Sequence, residues 1–321
     1  MTLDTWHVRI GHLSTMYHTA FLLKGSRLLK KQGITASWTL FPSGPDIIRA
    51  MHEGTLDLGY IGLPPVIIGI DKGLELACIA GGHIEGTVII AGKDTPALAE
   101  CRSMKEFLKQ FSGTSIGTPP KGSIHDVIVH ELLRENGITE VTVRNYPWAD
   151  FLPDALSNGD IAAAAGTPAL AVTAQRYGRG RLVVSPDRLW PFNPSYGIVV
   201  MRDMLKKHDL LARFLTAHEQ ACELIRHDPL TCARIVAQTT GAVDESFIMQ
   251  TYRISPKYCA ALPPEYVAST MKFVRTLHAL GYISRKVREN EIFERSLIES
   301  VHPEPHHYNA GIENPEPSVY L

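Results

Sequence analysis

The side chains best equipped for chemistry are His18, His83, His125 and Glu85. If their segments converge, three imidazoles and a carboxylate form a set able to hold zinc or non-haem iron. The same set could move protons as general acid and base. The local spacing that announces such a centre is missing, since no HExxH occurs. Each histidine then has a plainer role, giving one hydrogen bond to a ligand or a neighbour. That plainer reading is adopted: no catalytic residue, no metal and no cofactor. An enzyme using these four side chains, metal-dependent or not, stands as the alternative.

Other motifs carry less. Gly81-Gly82-His83-Ile84-Glu85-Gly86 is glycine-rich but is neither GxGxxG nor a P-loop, and no GxSxG elbow occurs. Cys78, Cys101, Cys222, Cys232 and Cys259 are odd in number, with no CxxC pair and no zinc spacing. They read as reduced, scattered and mostly buried. His302, His306 and His307 resemble a metal clip but lie in a Pro-rich tail, 302–321. An irregular, solvated tail is expected there.

The chain's bulk properties narrow the field. Its 321 residues exceed what one hydrophobic core usually serves, so two lobes are expected. With 32 basic against 33 acidic residues, there is no footprint for nucleic acid or an anionic membrane surface. The apolar stretch 61–70 is too short and too broken by proline and glycine to span a bilayer. The opening residues, MTLDTWHVRIGHLS, show no basic, apolar and cleavage regions of an export signal. Two locations stay open: the cytoplasm, or the periplasm or exterior if a leader has been removed.

Strand and helix patterns alternate through the first two hundred residues. Strands are expected at 6–12, 34–41, 56–61, 74–80 and 87–92. Helices are expected at 18–32, ending at Gly33, and from Ser43-Gly44-Pro45-Asp46 to Glu53. A second run follows, with helices at 103–110, 124–135, 150–157 and 168–177. Its strands fall at 114–117, 140–146, 160–165, 181–184 and 197–201. Such alternation predicts mainly parallel sheets with helices on both faces. From 202 onward apolar residues recur at three- and four-residue spacing, predicting helices at 203–226, 228–240, 244–252, 264–280 and 289–300.

An internal echo supports two similar lobes. Residues 50–64, AMHEGTLDLGYIGLP, and 155–168, ALSNGDIAAAAGTP, each run from a helix end at glycine through a strand to a Gly-x-Pro turn. In open α/β sheets ligands bind beyond the carboxyl ends of the strands, where the next helices start. The turns in that position are Ser14 to His18, Ser43-Gly44, Gly62-Leu63-Pro64, Lys121-Gly122-Ser123 and Gly166-Thr167-Pro168. Two of them, Ser43-Gly44 and Lys121-Gly122-Ser123, are helix starts preceded by Gly and Ser, whose free backbone N–H groups favour anions. Any one of these turns alone reads as ordinary capping; five at equivalent places in two lobes read as a site. The crossovers 81–87 and 185–197 have the position of hinges. Trp190, Phe192 and Tyr196 on the return crossover pack either on a ligand or between lobes.

Four segments carry a resemblance: VRIGHLSTMYHTA at 8–20, PSGPDIIRAMHEGTLDLGYIGLPP at 42–65, PPKGSIHDVIVHELLRENGI at 119–138 and NYPWADFLPDALSNGDIAAAAGTPAL at 145–170. Over about residues 6–200 the chain resembles the ABC-transporter solute-binding proteins for sulfonates, nitrate and taurine. That superfamily has a branch tied to thiamine-pyrimidine metabolism. The resemblance implies the type II periplasmic-binding fold, two open α/β lobes with a hinge and a helical C-terminal region. Lobe I would comprise 1–88 and 198–321, and lobe II 89–197. It implies a monomer that captures a small polar or anionic organic ligand in the cleft and presents it to a permease. Tyr17, His18, Ser43, Gly44, Gly62, His83, Glu85, Lys121, Gly122, Ser123, His125, Gly166, Thr167 and Tyr196 are the expected ligand-binding residues. Sulfonate and nitrate need donors, so the Glu85 carboxylate should face solvent or meet a ligand amine or ring N–H.

Overall fold

The first strands and helices follow the sequence pattern closely. In the computed structural model, which describes residues 6–177 and 180–313, the chain starts with β1 (Trp6–His12), α1 (Thr19–Gly25), α2 (Leu28–Lys31) and β2 (Ile34–Leu40). Then come α3 (Gly44–His52), β3 (Leu58–Ile61), α4 (Leu63–Asp71) and β4 (Leu76–Ile84). The second run is β5 (Val88–Ala91), α5 (Met104–Lys109), β6 (Ser115–Thr118), α6 (Ile124–Glu135), β7 (Thr142–Asn145), α7 (Leu152–Ser157), β8 (Ala163–Gly166), α8 (Pro168–Arg176) and β9 (Arg181–Val184). After β10 (Pro194–Met201) the chain turns helical, with α9 (His208–His227), α10 (Pro229–Thr240), α11 (Glu245–Ile254), α12 (Pro264–Ala279), α13 (Glu289–Ile292) and α14 (Ser296–Val301). The leader reading at residues 1–5 and the tail reading beyond 313 lie outside the described residues.

The strands form two five-stranded sheets, ordered β2-β1-β3-β10-β4 and β7-β6-β8-β5-β9. This is the expected two-lobed α/β architecture. The expectation of mainly parallel sheets needs one correction. β10 runs antiparallel to β3 and β4, and β5 runs antiparallel to β8 and β9. Each of these strands is the first after a crossing from the other sheet, so it enters from the opposite end. Residues 85–87 and 185–193 make the two crossings.

The echoed segments occupy equivalent places. α3 ends at Gly54 and α7 at Gly159, both at positive φ (69° and 76°). The following strands, β3 and β8, each take the third position of their sheet. All four residues of each are buried, as expected for a central strand covered on both faces.

Several element boundaries differ from expectation, among them the helix expected over 289–300, which is interrupted at Phe293, whose backbone is extended. The helix expected over 18–32 is broken at Ser26, whose backbone is extended. Gly25 lies against α10, where a Cβ would overlap Thr239; close packing there wins over helix continuity. The strands around the crossovers also run longer. β4 continues through Gly81-Gly82-His83-Ile84 and β10 begins at Pro194. The Tyr196 ring lies directly over Gly82, leaving no room for a Cβ, so the glycines serve strand packing rather than a loop.

The solvated tail is corrected. His302 is 4% exposed and Tyr308 fully buried, and the Tyr308 hydroxyl donates to the Ala261 carbonyl at 3.0 Å. The segment has no regular structure through Glu313, yet it is fastened to the core by aromatic packing. Cys78, Cys222, Cys232 and Cys259 are buried, Cys101 half-buried, and all five are free thiols.

Candidate functional site

Five helices start at one place. α3 is capped by Ser43, whose hydroxyl accepts from Asp46 N, and α6 by Ser123, which accepts from Asp126 N. α1, α4 and α8 start after His18, Gly62 and Thr167. All five of these cap residues line a single cavity between the sheets, together with Leu13, Ser14, Thr15, Tyr17, Gly44 and His125. The first turn of each helix leaves N–H groups without intrahelical partners and carries a partial positive charge of roughly half a unit. No Lys, Arg, Asp or Glu lines the cavity. Its attraction for a ligand therefore comes from dipoles, hydroxyls and two imidazoles.

The cavity is small, about 60 Å³. At roughly 10–15 Å³ per water-sized centre, it suits a ligand of a few non-hydrogen atoms. Contacts between the two halves flank the cavity. The Ser14 hydroxyl accepts from Trp148 Nε1 at 3.2 Å and donates to Asp150 at 3.4 Å.

A layer of neutral histidines backs the cavity. His83 Nε2 donates to the Ser255 carbonyl at 2.7 Å, which leaves Nδ1 to accept from the Ser195 hydroxyl at 2.9 Å. His218 repeats the pattern: Nε2 donates to the Gly81 carbonyl at 2.9 Å and Nδ1 accepts from Thr19 at 3.0 Å. A carbonyl can only accept, so both tautomers are fixed. Burial lowers the His83 pKa to about 3 and that of His218 to about 4. His125, with Nδ1 3.0 Å from the Thr87 hydroxyl, is lowered to about 4 by the same cause.

His18 differs from the others. It is fully buried, 4.0 Å from the Tyr196 ring and 4.7 Å from that of Tyr17, yet neither ring nitrogen has a hydrogen-bond partner. The Thr15 hydroxyl is in the same condition. Burial, and then the neighbouring imidazoles, hold the His18 pKa far below its ordinary value. A neutral imidazole offers one donor and one acceptor. Leaving such groups unpaired costs about 1–3 kcal/mol each, so a polar ligand is the natural partner.

The expected residues divide as follows. Tyr17, His18, Ser43, Gly44, Gly62, Ser123, His125 and Thr167 line the cavity. Gly166 lines an adjoining hollow that shares Ser14, Thr15, Ala149 and Thr167 with it. The remaining five do not line the cavity. His83 lies behind Ser195. Tyr196 is fully buried under His18, because strand alternation turns Ser195 toward the cavity and Tyr196 away from it. Lys121 is exposed, with its ammonium 4.8 Å from the Tyr282 ring centre. Gly122 gives its N–H to the buried Asp126 carboxylate at 2.8 Å. Glu85 neither faces solvent nor lines the cavity: it is 6% exposed, 2.5 Å from Lys257 Nζ, and accepts from Phe192 N at 3.0 Å. The set His18, His83, His125 and Glu85 is thus not assembled around one point.

Trp190 and Phe192 pack away from the cavity as well. Trp190 stacks on Phe273 at 4.1 Å and donates to Ser269. Phe192 meets His306 and Tyr308 edge-on. Sequence reasoning missed Ser195, Ala149 and Ile124 as lining residues. For Ser195 the period of two along β10 was the available signal.

Comparison with known proteins bears on the fold. The model of the NMT1-like family matches residues 4–241. No curated protein matches the chain significantly. Among solved structures, the chain is similar to the ligand-binding component of an ABC-type import system from Staphylococcus aureus with zinc bound. That match has a TM-score of 0.79 at 18% identity and covers 94% of this chain and 100% of that one. It is similar to the alkanesulfonate-binding protein SsuA from Xanthomonas axonopodis pv. citri bound to MOPS, with a TM-score of 0.77 at 18% identity, covering 92% and 100%. The periplasmic nitrate-binding protein NrtA from Synechocystis PCC 6803 superposes with a TM-score of 0.77 at 12% identity, covering 94% and 89%. These likenesses fix the two-lobed periplasmic-binding fold.

Proposed function

The chain belongs to the NMT1-like family, and on that premise we propose that it is a solute-binding protein for a small polar or anionic organic molecule. The observation that carries this reading is the convergence of five helix N-termini from both sheets on one cavity without charged lining residues. Such a site favours the acidic end of a sulfonate-, nitrate- or taurine-like solute, since dipoles at helix starts hold anions without a counter-ion. His18 and Thr15 supply the remaining polar contacts.

In this reading lobe I (1–88 and 198–321) and lobe II (89–197) close about the crossings at 85–87 and 185–193. The closed monomer presents its solute to a permease; the Staphylococcus aureus relative is the ligand-binding component of an ABC-type import system. Among the described residues no helix is long and apolar enough to cross a membrane, so membrane passage would rest with that partner.

Titration calorimetry against nitrate, taurine and short alkanesulfonates tests the proposal. One solute should bind at one site per chain, and Ser123→Ala should weaken it by about tenfold, the loss of roughly one hydrogen bond to a charged group. Failure of every small anion and zwitterion to bind would overturn it.

A further inference from the structure

Outside the cavity lining, three segments bring metal-ligating atoms to one point. Cys259 Sγ lies 3.3 Å from His302 Nε2 and 4.0 Å from His307 Nδ1, and the two nitrogens are 3.1 Å apart. Glu219 Oε1 is 3.9 Å from His302 Nε2. All four ligand atoms fall within 4.8 Å of one another. Around a tetrahedral zinc ion, with Zn–S about 2.3 Å and Zn–N about 2.0–2.1 Å, sulfur and nitrogen stand ~3.5 Å apart and two nitrogens ~3.3 Å. The two observed sulfur–nitrogen spacings bracket the first value, and the nitrogen–nitrogen spacing falls about 0.2 Å short of the second.

The surroundings suit a cation as well. Cys259 Sγ accepts from the backbone N–H groups of Ala261 (3.5 Å) and His307 (3.4 Å), as a metal thiolate would. Glu219 is oriented by Arg226 Nη2 at 3.0 Å and by Ala260 N at 2.7 Å, so one oxygen is shared between Arg226 and the cluster. His302 Nδ1 is buried without a hydrogen bond and points its remaining edge toward Glu304, 3.8 Å away. A carboxylate behind a ligating imidazole is the usual outer partner of a zinc site.

We propose that Cys259, His302, His307 and Glu219 bind one zinc-class divalent cation, which staples the C-terminal segment to the edge of β4. The cysteine's loop runs alongside that strand, with Gly81 N donating to the Ala260 carbonyl at 2.8 Å and Cys259 N to the Gly82 carbonyl at 3.3 Å. Four protein ligands make a closed, structural site rather than a catalytic one. Ion entry displaces the Cys259 thiol proton to solvent as the Sγ–metal bond forms. None of the four residues lines the solute cavity.

Cobalt titration of the chelator-stripped full-length chain is the test. One equivalent of Co²⁺ should give tetrahedral ligand-field bands with a thiolate-to-cobalt charge-transfer band, and Zn²⁺ should displace it. Cys259→Ser should remove the charge-transfer band, since the other four cysteines stay in place. His307→Ala, at a half-buried position, should weaken cobalt binding by at least about tenfold. Unfolding midpoints in chelator, equal for parent and variants, show that the variants fold. Absence of the charge-transfer band in the parent, or its persistence in Cys259→Ser, would overturn the proposal.

Discussion

Glu85 and Phe192 sit on the two separate crossings between the sheets and are hydrogen-bonded to each other, Glu85 Oε1 accepting from Phe192 N at 3.0 Å. Among the described residues they are also the two non-glycine residues at positive φ, 59° and 57°. Such backbone costs of order 1–3 kcal/mol and persists only where the surroundings enforce it. Lys257, 2.5 Å from the same carboxylate, and the bond from Glu85 N to the Asn193 carbonyl complete the clasp. The strained residues therefore lie on the two crossings about which the proposed clamp would close.

This clasp predicts a split between stability and binding. Lys257→Met leaves a buried carboxylate without its cation and should lower stability by roughly 1–3 kcal/mol. Glu85→Gln keeps an acceptor for Phe192 N and should cost less. Because Glu85 does not line the cavity, Glu85→Gln should leave solute affinity within about threefold. Urea denaturation beside calorimetry reads both; a loss of binding without loss of stability would return Glu85 to the ligand.

His18→Ala tests the unpaired imidazole. Its two buried nitrogens make no protein hydrogen bond, so removing them should cost the empty protein little beyond the lost ring packing against Tyr196. Affinity for the solute should fall ten- to a hundredfold, about 1–3 kcal/mol. Calorimetry that found unchanged affinity would place the solute elsewhere.

Stability should fall with acidification in a defined window. The pKa values of His83, His125 and His218 are depressed in the folded state, to about 3, 4 and 4, against about 6.5 unfolded. The unfolded chain therefore binds more protons between these limits. The stability they contribute is complete above pH 6.5 and is lost as pH drops through the window. The limiting slope is about 1.4 kcal/mol per pH unit for each histidine. Urea midpoints at pH 7.5, 6 and 5 should decline steeply, and His125→Gln should reduce the slope. A flat profile would contradict the neutral histidine layer.

Local signals made much of this legible from sequence. Ser43-Gly44-Pro45-Asp46 and Lys121-Gly122-Ser123 read as helix starts because a serine hydroxyl there can accept the backbone N–H three residues on. The repeated Gly-x-Pro turns gave the paired lobes. What the sequence hid was decided at long range. Tyr196 was expected at the ligand, yet the alternation of β10 turns Ser195, not Tyr196, to the cavity wall. Glu85 was drawn off by Lys257, which is 172 residues away. His302 and His307 looked solvated because Glu219 and Cys259, which they meet, are distant in the chain.

Native mass spectrometry of the purified chain, with the bound molecule recovered and its fate followed by NMR, tests the central claim most directly. The account predicts one small anionic or zwitterionic organic molecule per chain, released on unfolding and chemically unchanged after prolonged incubation, with occupancy reduced in His18→Ala. A molecule that is consumed on incubation, or that stays fully bound in His18→Ala, would contradict it.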